Sequence, residues 1–466
     1  MLKFSTSLYL LGSILLFSCA PNLPKIEKLL TTHDGKKLLE YSLLSKAQST
    51  PSSAIDTLWI RPSIAYQVMD GFGFTLTGGS AQHLMHMNAS ARKTLLIDLF
   101  GFGAEGIGIS YLRISLGASD LDATPWTYLD LPEGAEDLGL TGFTLAFDTV
   151  YMVPLLKEIL SINPDIGLMA SPWSAPSWMK TLFDSRGGSL GKKYYSVYAH
   201  YLVKYLEYMQ AEGIFIKALT IQNEPLHPGN NPSMFMPAEE QALFIRDNLG
   251  PLLAKERMTT QLIIYDHNAD RIDYPLSILA DSVASQYITG AAFHLYGGTI
   301  DELSKVHHAF PDKGLYFTEQ WMGAPGNFKE DFTWHVSNLM IGAPTHYAKI
   351  VLEWNLVNGV DLKPHTDRGG CTSCLGALTI EGDQHLKNTA YYVVGHLSKW
   401  VRPGAHRIKS ELTGSLQQVA FQNTDGTVVL LIQNEQMVDQ TVAVEVFNKW
   451  VPIEVPAAST LTIKFQ

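Results

Sequence analysis

Short apolar segments rich in β-branched and aromatic residues alternate with longer amphipathic stretches from residue 70 onward, and this alternation constrains the fold most. The pattern is typical of repeated βα units around a parallel sheet. Eight such segments are present, at residues 70–76, 110–116, 166–171, 217–222, 261–266, 290–295, 314–318 and 348–354. Because eight strands with intervening helices close a barrel, the sequence predicts a (β/α)8 barrel over residues 66–400.

A different pattern follows the predicted barrel, because apolar and polar residues alternate over residues 415–422, 427–433 and 441–446. A turn-forming Asn-Thr-Asp-Gly segment separates the first two of these stretches. We therefore predict a small antiparallel β-sandwich domain over residues 401–466. Residues 20–65 are expected to form a tether and then an N-terminal segment that contributes to this domain, since residues 55–60 fit a strand.

The charge of the chain restricts its partners. Charged residues make up only 17% of the sequence, the formal net charge is -11, and no basic run is present. Nucleic acid requires clustered lysine and arginine to neutralise its phosphates, so we expect no nucleic-acid partner. A neutral ligand fits this composition better.

The N-terminus has the features of an export signal. Lys3 precedes an uncharged stretch over residues 4–18, which is too short for a comfortable membrane span. Leu16-Phe17-Ser18-Cys19 resembles a bacterial lipobox, whose cysteine becomes the lipidated first residue of the mature chain. We therefore assign residues 1–19 to a lipoprotein signal peptide and expect Cys19 to anchor the protein to the cell envelope, at the outer membrane. An ordinary signal peptide with an incidental cysteine is the alternative.

The other two cysteines, Cys371 and Cys374, form a single C-x-x-C motif. Such a pair can be redox-active, half of a zinc site or a loop staple. Tetrahedral zinc requires more ligands than this motif offers, and an exported chain favours a local disulfide or two structural thiols. No H-E-x-x-H motif is present, and we expect neither a metal nor a cofactor.

Two glutamates follow predicted strands at positions where this fold carries chemistry. Catalytic groups of (β/α)8 barrels project from the carboxyl ends of the strands. Glu224 follows the fourth predicted strand and Glu319 follows the seventh. Retaining glycosidases need two carboxyl groups about 5 to 5.5 Å apart, one as proton donor and one as nucleophile. Taken singly, each glutamate is equally well explained by a salt bridge or a helix cap.

Four motifs resemble the consecutive signatures of glycoside hydrolase family 30, a family of retaining β-glycosidases that includes glucosylceramidases and β-1,6-glucanases. In order, the motifs begin at Asp70 (DGFG), Ser171 (SPWSAPSWMK), Thr220 (TIQNEP) and Glu353 (EWNL). The resemblance extends from about residue 65 to the C-terminus.

This resemblance implies a role for each matching residue. Glu224 would be the acid/base, Glu319 the nucleophile, and Asn223 would hold the sugar hydroxyl beside the reacting carbon. Arg113 would lie beside the nucleophile and keep it ionised, although an ordinary salt bridge at the barrel mouth is the alternative. Asp120 matches a position that binds distal sugar hydroxyls.

The aromatic residues of the resemblance would line the first sugar subsite. Trp173 and Trp354 would form its walls, because sugar rings pack their C–H groups on indole faces, whereas burial in the core is the competing explanation. Tyr296 would hydrogen-bond the nucleophile, and His294 would line the pocket or pack in the core. Trp178 and Trp321 fit either location.

These observations predict a retaining glycoside hydrolase that cleaves β-glucosidic bonds through a covalent glycosyl-enzyme. The Gly369-Gly370-Cys371 segment, completed by Cys374, resembles a loop of the β-1,6-glucanase-like branch, so β-1,6-glucan is the expected substrate. A glucosylceramidase or a β-xyloside hydrolase on the same fold is the first alternative. A non-catalytic glycan-binding lipoprotein on a decayed barrel is the second.

Overall fold

The computed structural model describes residues 25–44 and 56–466. The predicted signal peptide and Cys19 therefore lie outside the described residues. Within the described ranges, no helix combines the length and apolar character that crossing a membrane would require.

Eight parallel strands close into a barrel, which confirms the predicted fold class. We call them strands one to eight, and they span Gly71–Leu76, Tyr111–Leu116, Gly167–Pro172, Ala218–Thr220, Gln261–Asn268, Ile288–His294, Gly314–Glu319 and Ala348–Asn355. Most of their residues are buried on both faces, which explains why each strand reads as a nearly continuous apolar run. All eight lie at the predicted segments.

Large side chains fill the interior of the barrel. Tyr111, Met169, Ile263 and Tyr316 belong to one fully buried apolar cluster to which strands two to eight all contribute. The interior is thus a packed core rather than a pore, and a ligand site has to lie above it, in the loops.

Helices cover the outside of the barrel. The α-helices span Gly78–His86, Ala89–Phe100, Met152–Ile162, Tyr195–Ala211, Ala238–Phe244, Gly250–Lys255, Asp273–Ala280, Glu302–Ala309, Phe328–His335, Ala343–Thr345 and Thr389–Ser398. Two wider helical segments, Ile245–Leu249 and Val336–Gly342, continue their neighbouring helices. Asn88 shows how such a helix begins, because its side chain accepts a hydrogen bond from the N–H of Ala91.

Two loops above the barrel are unusually long. Between strand two and its helix, residues 117–151 contain no helix or strand. After strand eight, the chain forms the short strands Val357–Gly359, Cys374–Leu375, Leu378–Glu381 and Gln384–Lys387, and Cys374–Leu375 pairs with Met322–Gly323. Both loops help to build the site described below.

The remaining strands form a β-sandwich, as predicted. They span Ile26–Thr32, Glu40–Leu44, Asp56–Val68, His406–Leu412, Gln417–Gln422, Val428–Asn434, Gln440–Val446, Lys449–Val455 and Ser459–Phe465. The N-terminal strand Asp56–Val68 pairs with both His406–Leu412 and Gln440–Val446, so the N-terminal segment does contribute to this domain.

The strand Val428–Asn434 connects the sandwich to the barrel. Leu430 and Ile432 point into the core of the sandwich, whereas Val429 and Leu431 pack in the main core of the barrel. Both faces of the strand are buried, because its successive side chains point alternately into the sandwich core and the barrel core.

Candidate active site

The two predicted catalytic glutamates lie at the carboxyl end of the barrel but are held in different ways. Glu319 is the last residue of strand seven, whereas strand four ends at Thr220, earlier than predicted, so Glu224 lies four residues beyond it. The backbone of Glu224 is in the left-handed region, with φ of 44°, and its N–H donates to the carbonyl oxygen of Asp266. Strained backbone conformations of this kind cluster at active sites and ligand-binding segments.

Glu319 has an arginine and a tyrosine as partners. Arg113 Nη1 donates to Glu319 Oε2 at 2.7 Å, and Tyr296 Oη donates to Oε1 at 2.9 Å. Arg113 is fully buried and also donates to the side-chain oxygen of Asn223 at 2.5 Å. It is the third residue of strand two rather than its last, and its side chain extends to the end of strand seven.

Glu224 has partners of another kind. A ring nitrogen of His294, Nδ1, lies 3.2 Å from Glu224 Oε1, and Asn230 donates to Oε2 at 3.2 Å. His267 Nε2 lies 3.9 Å from Oε1. No arginine or lysine of the described residues forms a salt bridge with this glutamate.

The two glutamates are close together. One carboxylate oxygen of Glu224, one of Glu319 and a ring nitrogen of His294 all lie within 4.8 Å of one another. Inverting glycosidases separate their carboxyl groups by about 6.5 to 9.5 Å to hold a water molecule between them, whereas retaining enzymes need about 5 to 5.5 Å. The short spacing therefore matches a retaining pair.

A cleft with a volume of about 410 Å³ opens over these carboxylates. Its lining is Asp120, Trp173, Glu224, His227, Asn230, His267, Asn268, Tyr296, Glu319, Trp321, Trp354, Cys371 and Cys374. The two cysteines form a disulfide in the wall, one of the states left open by the sequence. Asn223 and His294 lie directly below this lining, bonded to Arg113 and Glu224.

The tryptophans of the cleft have a geometry that the sequence did not suggest. The rings of Trp173 and Trp354 lie 5.5 Å apart at an interplanar angle of 34°, so they contact each other. Both side chains are almost fully buried, so each offers the cleft only a small part of its ring, and their role as walls of the sugar subsite stays a prediction. Trp321 also faces the cleft, whereas Trp178 is buried and donates to the carbonyl oxygen of Leu129.

Family models match nearly all of the described chain. The glycosyl hydrolase family 30 TIM-barrel domain matches residues 69–401, and the family 30 β-sandwich domain matches residues 404–463. The chain belongs to glycosyl hydrolase family 30. It is thus a glycosyl hydrolase, as the sequence predicted.

Relatives of this family 30 protein include enzymes named for two different activities. The endo-1,6-β-D-glucanase neg1 of Aspergillus fumigatus is 33% identical over 411 residues, which cover 82% of each chain. The lysosomal acid glucosylceramidase of Mus musculus is 28% identical and covers 82% of this chain and 78% of its own. Among solved structures, the endo-β1,6-glucanase BT3312 superposes with a TM-score of 0.89 at 33% identity, covering 95% and 99% of the two chains.

The family 30 protein also holds a buried carboxylate that the sequence argument missed. Asp266 is fully buried below the glutamates, where Arg113 Nη2 donates to it at 2.8 Å and His294 Nε2 lies 3.2 Å away. The hydroxyl groups of Thr220 and Thr318 also donate to it, at 2.9 and 2.7 Å. Its place at the end of the predicted fifth strand was the available signal.

Four further cleft residues were not predicted: His227, Asn230, His267 and Asn268. His227 and Asn230 belong to the loop after strand four, and His267 and Asn268 are the last two residues of strand five. No motif of the sequence singled them out, because their role depends on how the fold places these two segments at the mouth of the barrel.

Buried charges shift the pKa values at this mouth. Burial lowers the pKa of His294, but the surrounding carboxylates outweigh burial and raise it to about 9. Burial raises the pKa of Glu224, but the hydrogen bond and charge of His294 outweigh burial and lower it to about 2. For Glu319 burial prevails, so its pKa is raised although the charges of His294 and Arg113 lower it. Burial and the charges of both glutamates raise the pKa of Asp120 to about 8. These shifts favour protonated His294, protonated Asp120 and ionised Glu224 near neutral pH.

Glu224, His294 and Glu319 also present the donor atoms of a metal site. However, the guanidinium of Arg113 already contacts Glu319, and each ring nitrogen of His294 faces a carboxylate oxygen. A metal ion at this point would be repelled by Arg113 and by a protonated His294. The arrangement favours proton transfer, and the expectation that no metal or cofactor is needed stays a prediction.

Proposed function

We propose that this protein hydrolyses β-1,6-linked glucan with retention of configuration at the anomeric carbon. The short spacing between Glu224 and Glu319 carries the retaining mechanism, because it is below the separation of about 6.5 to 9.5 Å at which an inverting pair places a water molecule beside the sugar. The likeness to endo-1,6-β-glucanases, at 33% identity over most of both chains, supports the linkage. A cleft with aromatic faces above a charged floor fits a neutral sugar.

In the first step, Glu319 attacks the anomeric carbon while the bond to the leaving oxygen breaks. Glu224 gives its proton to that oxygen, so the leaving sugar departs as an alcohol and a glycosyl ester of Glu319 remains. In the free site the proton lies on His294, which contacts Glu224 at 3.2 Å. The two side chains therefore act as one proton-carrying pair.

In the second step, a water molecule attacks the anomeric carbon of the ester. Glu224, now ionised, takes a proton from this water as the bond to Glu319 breaks, which restores both carboxyl groups to their starting states. Two inversions at one carbon give net retention.

The neighbouring side chains position the nucleophile and the sugar. Arg113 and Tyr296 together hold both oxygens of Glu319, which fixes the direction of attack. Because the side-chain oxygen of Asn223 is engaged by Arg113, its amide nitrogen is the group left for a sugar hydroxyl. Protonated Asp120 would donate a hydrogen bond to a hydroxyl of the bound sugar.

A glucosylceramidase activity is the second candidate function. It is favoured by the likeness to the mouse lysosomal glucosylceramidase, which covers most of both chains at 28% identity. The same pair of glutamates would cleave either substrate, so the walls of the cleft rather than the reaction chemistry would discriminate between them.

A substrate panel tests the proposal. Purified protein is incubated with pustulan as the β-1,6-glucan, with laminarin, glucosylceramide and aryl β-glycosides, and the products are identified. We expect pustulan to be cleaved fastest, with the β-anomer as the first product by NMR. Cleavage of glucosylceramide alone would replace the proposed substrate, and binding of glucan without release of sugar would indicate a non-catalytic protein.

We further propose that the protein is anchored to the bacterial outer membrane through a lipid on Cys19. The support is the sequence of residues 1–19, which combines an apolar stretch with a small residue before the cysteine. Labelled fatty acid should be incorporated into the expressed chain, and Cys19→Ser should abolish this. Unchanged labelling of Cys19→Ser would refute the anchor.

A further inference from the structure

A second cavity opens beside the cleft at the mouth of the barrel, and we call it the side cavity. Its volume is about 540 Å³, compared with about 410 Å³ for the cleft. Its lining is Pro125, Trp126, Thr127, Asp130, Leu131, Ser174, Ala175, Ser177, Phe183, Asp184, Ser185, Pro232 and Arg368. None of these residues lines the cleft or belongs to the proposed catalytic group.

Three loops connect the cleft with the side cavity. Trp173 lines the cleft and the next residue lines the side cavity; Asn230 lines the cleft and Pro232 the side cavity. In the loop after strand eight, Arg368 lines the side cavity and Cys371 the cleft. Since three separate loops pass from one to the other, the two cavities are direct neighbours.

A narrow wall separates the two cavities. Buried Asn231 lies between the cleft residue and the side-cavity residue of its loop, and it donates to the backbone and side chain of Asp367 at 3.0 and 2.9 Å. The hydroxyl of Thr366 in turn donates to the carbonyl oxygen of Asn231. A ligand that occupies both cavities must therefore be a chain long enough to cross this wall.

The side cavity has the chemistry of a sugar site. Phe183 is 45% exposed although it lines a cavity, and Trp126 offers a second aromatic face. Aromatic rings pack against the C–H groups of a sugar. Ser177 adds a hydroxyl group to the lining, whereas the hydroxyls of Ser174 and Ser185 already donate to the carbonyl oxygen of Ala175 and the side chain of Asn231.

The charges of the side cavity are matched internally. Arg368 makes two hydrogen bonds of 3.0 Å to the carboxylate of Asp184, so neither charge is left for a ligand. The other carboxylate, Asp130, accepts bonds from the backbone and hydroxyl of Thr127 at 2.8 and 2.7 Å. An anionic polymer would find no spare cation among the lining residues, which favours a neutral sugar.

The side cavity is also held in shape. The buried ammonium of Lys180 donates to Ser174 Oγ, to the carbonyl of Ser185 and to the carbonyl of Ser233, at 2.8, 2.9 and 2.8 Å. These bonds hold the loop after strand three in shape and join it to the loop after strand four. A site formed before the ligand arrives binds it at a lower cost in conformational entropy.

We propose that the side cavity is a distal subsite, which binds another glucose unit of the glucan chain whose reacting bond lies in the cleft. This inference rests on the proposed function. A protein that binds its substrate at two neighbouring cavities favours long substrates over short ones.

Kinetics on short and long substrates test the subsite, using Phe183→Ala and the control Leu182→Ala. Leu182 is 56% exposed on the same loop but does not line the side cavity. Losing one aromatic face should lower kcat/KM on long β-1,6-gluco-oligosaccharides about five- to tenfold, and leave an aryl β-glucoside within about twofold. Leu182→Ala should match the unsubstituted protein on both substrates. Equal losses on both substrates, or no loss on the long one, would overturn the subsite.

A binding measurement separates failure of the subsite from failure of the proposed function. In a Glu319→Gln background, calorimetry follows the affinity for β-1,6-gluco-oligosaccharides of increasing length. Affinity should rise with length, and Phe183→Ala should remove about five- to tenfold of that rise. If unsubstituted protein cleaves no β-glucan, the proposed function fails, yet this length dependence still supports the subsite when present and overturns it when absent.

Discussion

The two glutamates of the cleft are equally buried, yet they are held by opposite kinds of partner. Glu319 is the last residue of a barrel strand and is bound by the guanidinium of Arg113, a group that stays charged over the whole pH range in which proteins are folded. Glu224 lies in a strained turn beyond its strand, against His294, which gains and loses a proton. In the proposed mechanism, the attacking side of the cleft therefore has a permanent cation beside its carboxylate, and the side that transfers a proton has a titratable one.

This difference shows how one barrel mouth can assign two roles to the same residue type. A nucleophile has to be ionised and aligned; the charge of Arg113 opposes the burial that raises the pKa of Glu319, and the hydroxyl of Tyr296 helps to fix its orientation. An acid/base has to exchange a proton twice in each turnover, which a titratable neighbour permits. Asp266 connects the two sides, because both Arg113 and His294 contact its carboxylate.

The largest effect should come from Glu319→Ala. Loss of the nucleophile should lower kcat on an aryl β-glucoside by about 10⁴-fold or more, because no covalent intermediate forms. Added azide should restore turnover by attacking from the vacated face, giving the α-glycosyl azide, which NMR identifies. Circular dichroism should show an unchanged fold. Near-normal activity without azide would show that Glu319 is not the nucleophile.

Glu224→Ala should have a smaller effect that depends on the leaving group. Substrates with alkoxide leaving groups should lose about 10²- to 10⁴-fold in kcat, whereas aryl glucosides with acidic leaving groups should form the glycosyl-enzyme almost normally. Azide should then attack the intermediate and give the β-glycosyl azide. An α-azide from this variant and a β-azide from Glu319→Ala would exchange the two roles.

The fixed charge of Arg113 should also matter for stability. Arg113→Met leaves Asp266 and Glu319 without their buried cation, so the free energy of unfolding should fall by about 3 to 5 kcal/mol in denaturant titrations. Arg271→Met is the matched control, because Arg271 pairs with Asp273 on the surface and should cost less than about 1 kcal/mol. Similar values for both variants would contradict a special role for the buried ion pair.

Barrel strands were predictable because burial on both faces makes each of them a continuous apolar run. The position of Glu319 was equally predictable, since it directly follows such an apolar run. The strand Glu40–Leu44 was not predicted, because it lies at a sheet edge where most of its side chains are exposed and no alternation survives.

The network around Asp266 was beyond the reach of sequence reasoning. Its partners Arg113, Thr220, His294 and Thr318 come from four different strands, so only closure of the barrel brings them together. The contact between the two tryptophans depends in the same way on the relative heights of strands three and eight. Local patterns locate strand ends, but they do not report distances across the mouth.

The smallest effect is expected at the titratable pair of Glu224 and His294, as a shift in the pH profile of kcat/KM. Because the pKa of His294 is raised from 6.5 to about 9, its charge stabilises the fold fully below about pH 6.5, and this contribution is lost as pH rises through about 9. The proton that Glu224 uses disappears over the same range, so kcat/KM should fall on the alkaline side near pH 9.

His294→Gln should move this alkaline limb to lower pH, because Glu224 alone then has to retain the proton. Asp120, whose pKa of about 8 is close enough to confuse the assignment, provides the control. Asp120→Asn should weaken sugar binding, seen in KM, while keeping the limb in place. If Asp120→Asn moved the alkaline limb of the pH profile and His294→Gln did not, the proton that controls this limb would belong to Asp120 rather than to the pair of Glu224 and His294.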